Sequence, residues 1–246
     1  MMKAYIQTDK SGEFYNVNAF IAYEGFRNFG FETEKFTDAD EISDCNPEHI
    51  VVGGIGNVRK RLKNLNINRP DKEIDYPEEL KPFLKRKVWE STINTIFKDK
   101  SSRDIFIKPK TETKLFAGKV ISHEMDFLGL IDQEKDTEIW CSERIDFKTE
   151  WRCFIRYKEI LDIRRYKGGW GTKLDVKTVE GAIERFTSQP NSYALDFGVT
   201  GNDETVLVEV NDGHSLGTYG ISQAHYAKFL SARWSELTRT EDYLNF

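Results

Sequence analysis

The chain has 246 residues, 39% hydrophobic and 31% charged, with 36 basic against 41 acidic residues and a formal net charge of −5. That length fits one large or two modest domains with a sizeable core, the composition is that of a soluble globular protein, and the acidic balance gives no ground for a nucleic-acid partner. Three dispersed cysteines without a CxxC pair, four histidines without ligand spacing, no apolar signal core and no membrane-length stretch exclude a disulfide scaffold, a zinc knuckle and a membrane span, and point to the cytoplasm.

In chain order, KAYIQ (3–7) reads as a strand. Asn16–Asn28 is predicted as a helix with Asn16 as its N-cap; Val17, Phe20, Ile21 and Phe26 are its apolar positions, Gly25 weakens it and Gly30 stops it. FETEKF (31–36) is a second strand. HIVVGG (49–54) is a third, with the continuous apolar run of a buried parallel strand. Val58–Leu65 reads as a basic helix. This alternation predicts a parallel sheet. The polar stretch 66–77 holds two of the six prolines and is the expected linker, giving a small N-terminal α/β domain over 1–77 and a second domain over 78–246.

Glu78–Lys98 is predicted to be helical, because Leu80, Phe83, Leu84, Val88, Trp89 and Ile93 recur at helical spacing and Pro82 falls in the first turn. The chain then turns strand-rich, with candidates at 104–109, 118–123, 137–142, 151–157 and 159–166. Val176–Phe186 is a helix, residues 195–212 read as a hairpin about Thr200-Gly201-Asn202-Asp203, and Ser222–Leu237 is a closing helix. There is no internal repeat. The overall class is α/β (α+β).

Four stretches carry chemistry. In the hairpin LDFGVTGNDETVLVEVND, Glu209 and Asn211 are two apart and so share one face of a strand, while Val206, Val208 and Val210 are expected on the packed face. Asp196 lies on the strand folded back alongside. Two carboxylates and an amide oxygen suit magnesium, which takes few protein ligands and completes its shell with water and phosphates; the same three oxygens also fit an ordinary hairpin that turns them to solvent. Lys108 ends an apolar strand and precedes a loop that closes at Gly118, an arrangement suited to phosphate, although no P-loop signature is present. Glu143 and Glu150 are seven apart across a link between strands, which is either a nucleotide edge or an exposed acidic turn. Arg152, Arg164, Arg165 and Lys167 are inward cations able to hold a carboxylate and a transferring phosphoryl group, or else outward charges.

The order of these pieces resembles the ATP-grasp superfamily. In its D-alanine–D-alanine ligase branch the metal carboxylates are thirteen apart and an asparagine follows two later, as with Asp196, Glu209 and Asn211; the nucleotide glutamates are seven apart, as with Glu143 and Glu150. The KLFAG loop, the E-W-R step and the RRYKG run look more like the clade named for two arginines and one lysine, whose members are proposed to be amide or peptide ligases. The resemblance runs from about Lys85 to Gly220 and implies an ATP-grasp fold preceded by a small pre-ATP-grasp domain. It implies that Lys108 contacts ATP phosphate and that Lys114, Phe116 and Gly118 belong to the mobile loop over it. Glu143 would sit at the adenine hinge and Glu150 at the ribose. Asp196, Glu209 and Asn211 would hold Mg2+. Arg152, Arg165 and Lys167 would face the reacting groups, with Arg164 as the rival to Arg165. One departure stands out: the ligase branch has an arginine two residues before its first metal aspartate, where this chain has Ala194, so that charge is expected from Arg152 or Arg165.

The activity implied is an ATP-dependent joining of a small-molecule or peptide carboxylate to an amine, through an acyl phosphate. A phosphotransferase with a non-carboxylate acceptor and a non-catalytic ATP-binding protein are the alternatives. His214, just past Asn211, either touches substrate or has no role. The sequence leaves the oligomeric state open.

Overall fold

The computed structural model describes residues 2–67, 74–99, 101, 103–110, 115–132 and 135–246. The chain opens with β1 (Lys3–Gln7), α1 (Val17–Asn28), β2 (Glu32–Phe36), β3 (Ile50–Val52) and α2 (Ile55–Asn64). The three strands form a parallel sheet of order β2-β1-β3. Asn16 caps α1 by accepting the Ala19 N–H at 3.0 Å, which satisfies one of the amides that a helix start leaves open. The second helix starts one turn earlier than its apolar pattern, at Ile55, with Gly54 as N-cap; its glycine-bearing first turn gives no periodic signal.

The expectation of one helix over Glu78–Lys98 is corrected. A 3-10 turn (Glu78–Leu80) leads into the short α3 (Lys81–Leu84), Lys85 takes φ +45, and the chain continues as β4 (Val88–Thr92) and α4 (Ile93–Lys98). Left-handed backbone at a lysine ends a helix, and Val-Trp-Glu-Ser-Thr has the β-branched and aromatic content of a strand. Leu80 and Leu84 pack into one core, whereas Ile93 and Ile96 pack into another, so the apparent period spans two separate elements.

β5 (Ile105–Pro109), β6 (Lys119–Ile121) and β7 (Glu138–Glu143) join β4 in an antiparallel sheet of order β4-β7-β5-β6 around Ile107, Ile121, Phe127 and Ile139. The floor is a second antiparallel sheet, β11-β10-β8-β9, built from β8 (Phe147–Arg156), β9 (Glu159–Gly168), β10 (Ser192–Thr200) and β11 (Thr205–Asp212). Tyr157 and Lys158, at φ +48 and +69, make the two-residue turn between β8 and β9. Helix α5 (Val176–Arg185) covers one face of this sheet, with Val179 and Ala182 against Leu195 and Phe197.

Helix α6 (Gln223–Thr238) covers part of the opposite face, where Phe229 meets Phe154 edge-on at 5.3 Å. The same helix packs on α1. A Cβ on Gly25 would lie 2.2 Å from the Gln223 carbonyl oxygen, so the glycine inside α1 marks the closest approach of the two helices. The N-terminal core therefore includes Phe154, Tyr226, Phe229 and Trp234 beside Ala22 and Phe26. The part of the floor that α6 leaves uncovered carries the charged hairpin.

The strand alternation expected for β11 also needs correction. Asp196 pairs with Glu209 but Phe197 pairs with Leu207, which leaves Val208 as a bulge. Beyond the bulge the faces exchange, so Leu207 and Val210 fill the core rather than Val206, Val208 and Val210 together. Arg86 fixes the bulge by donating to the Leu207 and Val208 carbonyls at 2.6 and 2.8 Å.

Candidate active site

Asp196 and Glu209 are direct cross-strand partners, and Asn211 lies two residues along β11. Partners in adjacent strands share a face, so the three oxygen-bearing side chains converge. The Asn211 amide nitrogen donates to Asp196 Oδ2 at 3.2 Å and to Glu209 Oε1 at 3.1 Å. Each carboxylate also meets its own cation. Arg152, the partner of Asp196 on β8, forks onto it, Nε to Oδ1 at 2.8 Å and the second nitrogen to Oδ2 at 2.7 Å. Lys108, from the end of β5, donates to Glu209 Oε2 at 2.7 Å and to Asp75 Oδ1 at 2.6 Å. The guanidinium that meets Asp196 thus comes from β8, where the ligase branch would place one at the position of Ala194.

Burial acts on all four groups. It pushes Asp196 up to about 6 against the lowering pull of Arg152. It pushes Glu209 the same way, but the charge and hydrogen bond of Lys108 outweigh it and hold Glu209 below its ordinary value. Lys108 and Arg152 lose hydration, yet their carboxylate partners raise both above the usual range. The site holds one forked pair, Arg152 with Asp196, and one lysine shared between two carboxylates, Glu209 and Asp75.

Aromatic rings complete the surroundings. The Tyr219 ring lies 4.8 Å from the Arg152 guanidinium and stacks on Tyr166 at 4.8 Å and 22°. The Tyr166 hydroxyl donates to Glu150 Oε2 at 3.0 Å. Tyr76 lies 4.7 Å from Lys108 Nζ. A cavity of about 700 Å³ opens over the hairpin, lined by Gly118, Arg152, Tyr166, Asp196, Glu209, Asn211 and Tyr219 among others.

Other sequence candidates lie further out. Glu143 ends β7 and accepts the Lys87 N–H at 2.9 Å. Glu150 is held by Tyr166 and by an ion pair with Lys167. Phe116 packs against the core of the smaller sheet. Lys114 lies outside the described residues. Arg152 pairs in register with Arg164, and Trp151 with Arg165. Arg164 therefore shares the face of Asp196, while Arg165 lies on the other face with its guanidinium 3.8 Å from the Trp170 ring. Arg164 itself donates to Asp162 Oδ2 at 2.6 Å.

Sequence reasoning missed Asp75, Tyr166 and Tyr219. Asp75 falls in the stretch read as a linker and yet is buried; its backbone carbonyl accepts the Val210 N–H at 3.0 Å, which docks the segment beside β11. The one available signal was its place in IDYP, an acid between apolar and aromatic neighbours.

Among the described residues no three histidine, cysteine, aspartate or glutamate side chains are grouped to hold a metal. The donor set present is two carboxylates and one amide. That suits a magnesium ion that arrives with phosphates as its remaining ligands, and it does not suit a closed structural site.

A parallel N-terminal unit and two antiparallel sheets, the larger carrying a carboxylate hairpin met by Arg152 and Lys108, define an ATP-grasp protein. The chain belongs to that family: residues 83–229, more than half its length, match the ATP-grasp domain of the clade named for two arginines and one lysine, in the second of its families. No curated protein matches it. Its fold is similar to D-alanine–D-alanine ligase from Bacillus anthracis, at TM-score 0.60 and 13% identity over 97% of this chain and 99% of that one. It is also similar to L-amino acid ligase from Bacillus licheniformis, at 0.56 and 12% over 96% and 75%. Macrocyclase MdnC from Microcystis aeruginosa, bound with precursor peptide MdnA, matches at 0.52 and 13% over 93% and 99%. At these identities the likeness is one of fold. No helix among the described residues is long and apolar enough to cross a membrane.

Proposed function

We propose that the protein is a cytoplasmic, ADP-forming carboxylate–amine ligase that uses Mg-ATP. The observation that carries this reading is the convergence of Asp196, Glu209 and Asn211 on one face beneath the cavity, with Arg152 forked on Asp196 and Lys108 bound to Glu209. Similar folds in proteins named as ligases support it. Residues 1–77 then form the acceptor side and 78–246 the nucleotide side.

Asp196, Glu209 and, with its amide turned over from the orientation that donates to the two carboxylates, the Asn211 oxygen would hold the magnesium, which would supply neutralising charge to the phosphates. Lys108 exchanges Glu209 for phosphate oxygens when nucleotide enters, with Asp75 keeping its ammonium on the site. Arg152 stays forked on Asp196 and presents its remaining edge toward the transferring phosphoryl group. A substrate carboxylate oxygen bonds to the γ-phosphorus as ADP leaves. An amine nitrogen then attacks the acyl carbon, phosphate leaves, and the nitrogen loses its proton, giving an amide. The chemistry needs positioning and charge neutralisation more than a strong base.

The test is ADP release from Mg-ATP across pools of amino acids and short peptides, with mass analysis of products. Wild type is expected to give acceptor-dependent ADP and an amide. Glu209→Gln is expected to lose about a hundredfold, about 2.7 kcal/mol of barrier. A phosphorylated acceptor in place of the amide, or a failure to bind Mg-ATP, would overturn the reading.

A further inference from the structure

In the N-terminal sheet the chain leaves β1 toward β2 on one side and reaches β3 on the other. The carboxyl ends of β1 and β3 therefore flank a topological switch point, where open parallel sheets hold ligands. A cavity of about 310 Å³ lies there. One wall comes from the N-terminal unit, with Asn18 and Gly54; the other is the end of β11 and the segment after it. Asn211, Ser215, Leu216 and Gly217 line both this cavity and the one over Asp196 and Glu209, so the two spaces share a wall. That wall is tied to the N-terminal unit. The Ser215 hydroxyl donates to the Gly53 carbonyl at 2.8 Å, and Asn18 Oδ1 accepts the Thr218 N–H and hydroxyl at 2.9 and 3.0 Å.

The two spaces differ in chemistry. The hairpin cavity carries Arg152, Asp196 and Glu209. The switch-point cavity has a mixed wall in which Val52, Ile55, Ile74, Val210, Leu216 and Tyr226 are the large apolar members and Asn16, Asn18 and His214 are polar, and no lysine or arginine is among its described lining residues. The one carboxylate among its described lining residues, Asp212, is already matched: Arg233 forks onto it at 2.8 and 2.6 Å, and His214 Nδ1 lies 2.7 Å away. An acidic side chain would lose its water here and meet no lysine or arginine among the described lining residues, while His214 is already turned to Asp212. A basic one would find Asp212, the acid of the described lining, engaged. Both cost free energy that an apolar side chain does not. The volume is at the small end of ligand pockets, which fits one amino acid and not a folded polypeptide.

We propose that this cavity holds the body of a free, amino-acid-sized co-substrate with an uncharged, apolar side chain, its reacting group reaching past Asn211 to the hairpin. This rests on the ligase reading and names the substrate class for it. A described lining with no lysine or arginine and with its aspartate already engaged makes the protein discriminate against acidic and basic amino acids.

Calorimetric titration of the full chain with L- and D-leucine, aspartate, lysine and trileucine, with no nucleotide present, tests the assignment. Mg-ATP affinity and acceptor-dependent ADP release are measured alongside. Leucine is expected to bind about tenfold or more tighter than aspartate, lysine or trileucine. Gly54→Leu is the filling variant. Its backbone, at φ −61 and ψ 150, accepts any residue, and a Cβ there lies 3.6 Å from the Tyr15 ring. It is expected to weaken leucine about tenfold with Mg-ATP affinity unchanged. Ile55→Asp, in the first turn of α2 where a carboxylate is tolerated, is the second variant and is expected to turn the preference toward lysine. Equal binding of charged amino acids, tighter binding of trileucine, no binding of leucine, or a Gly54→Leu protein that binds leucine as wild type does would each overturn the assignment. Mg-ATP binding with ADP release only for charged or polypeptide acceptors removes the cavity assignment and keeps the ligase. Leucine binding without Mg-ATP binding removes the ligase reading itself.

Discussion

In the β11-β10-β8-β9 sheet the Arg152–Asp196 pair is nearly sealed, with side chains 7% and 3% exposed, whereas the Lys110–Glu90 pair at the smaller sheet leaves 23% and 51% in solvent. The smaller sheet's connections also leave Met125 and Leu128 open to water. Both sheets are antiparallel and four-stranded. What separates them is that on the floor Arg152 and Asp196 are both removed from water and bonded to each other, so losing the arginine strands the aspartate. On the smaller sheet water takes over. Burial, more than the number of ion pairs, decides which sheet a substitution can disrupt.

The strongest way to break this contrast is Arg152→Leu. It leaves Asp196 buried beside Glu209 with no cation and is expected to cost about 3–5 kcal/mol in urea unfolding. Pairing it with Asp196→Leu should recover much of that loss. If the single variant unfolds like wild type, the sealed-pair argument is wrong.

Asp212→Asn probes the second buried pair. Burial raises the Asp212 carboxyl, but hydrogen bonds from Arg233 and His214 outweigh this and hold it far below its ordinary 3.8. A depressed aspartate contributes stability that is fully present above the unfolded value and is lost as pH falls toward the folded one. The gap between wild type and Asp212→Asn should be about 2 kcal/mol, constant from neutral pH down to about 5. It should shrink below the ordinary aspartate value. A gap that instead narrows near neutral pH would mean another group titrates.

Lys108→Met sharpens the comparison on the binding side. Lys108 competes with any cation for Glu209, so its removal is expected to raise the affinity for magnesium alone by about tenfold, about 1.4 kcal/mol, in titrations without nucleotide. Unchanged magnesium affinity would show that the lysine does not shield the carboxylate. The smallest effect belongs to the open sheet, where Lys110→Ala should alter unfolding by about 0–1 kcal/mol, and a larger loss would erase the distinction between the sheets.

Much of the frame was legible in the sequence because it depends on local pattern. Asn16 before an apolar run marked the start of α1, and the thirteen-residue step from Asp196 to Glu209 across a polar turn marked the hairpin. Period-2 alternation put Glu209 and Asn211 on one face. What failed depended on register and on tertiary contact. The Val208 bulge exchanges the faces of β11 and cannot be seen in the order of residues. Arg164 and Arg165 differ only in parity, which the bulges between β8 and β9 reset. Asp75 looked like linker because its burial is created by β5 and β11, more than thirty and a hundred residues away. Val88–Thr92 looked helical because apolar residues of neighbouring elements happened to fall in step.

The Val208 bulge has a further consequence for how the chain behaves among its own copies. β11 is the outermost strand of the floor, and an outermost strand with free amides and carbonyls is a template for intermolecular pairing. Here Arg86 takes the Leu207 and Val208 carbonyls, and the Asp75 carbonyl takes the Val210 amide. The bulge kinks the strand between these points. A second chain therefore finds no straight ladder to extend, and the strand that carries Glu209 is protected from aggregation by the same residues that fix its register.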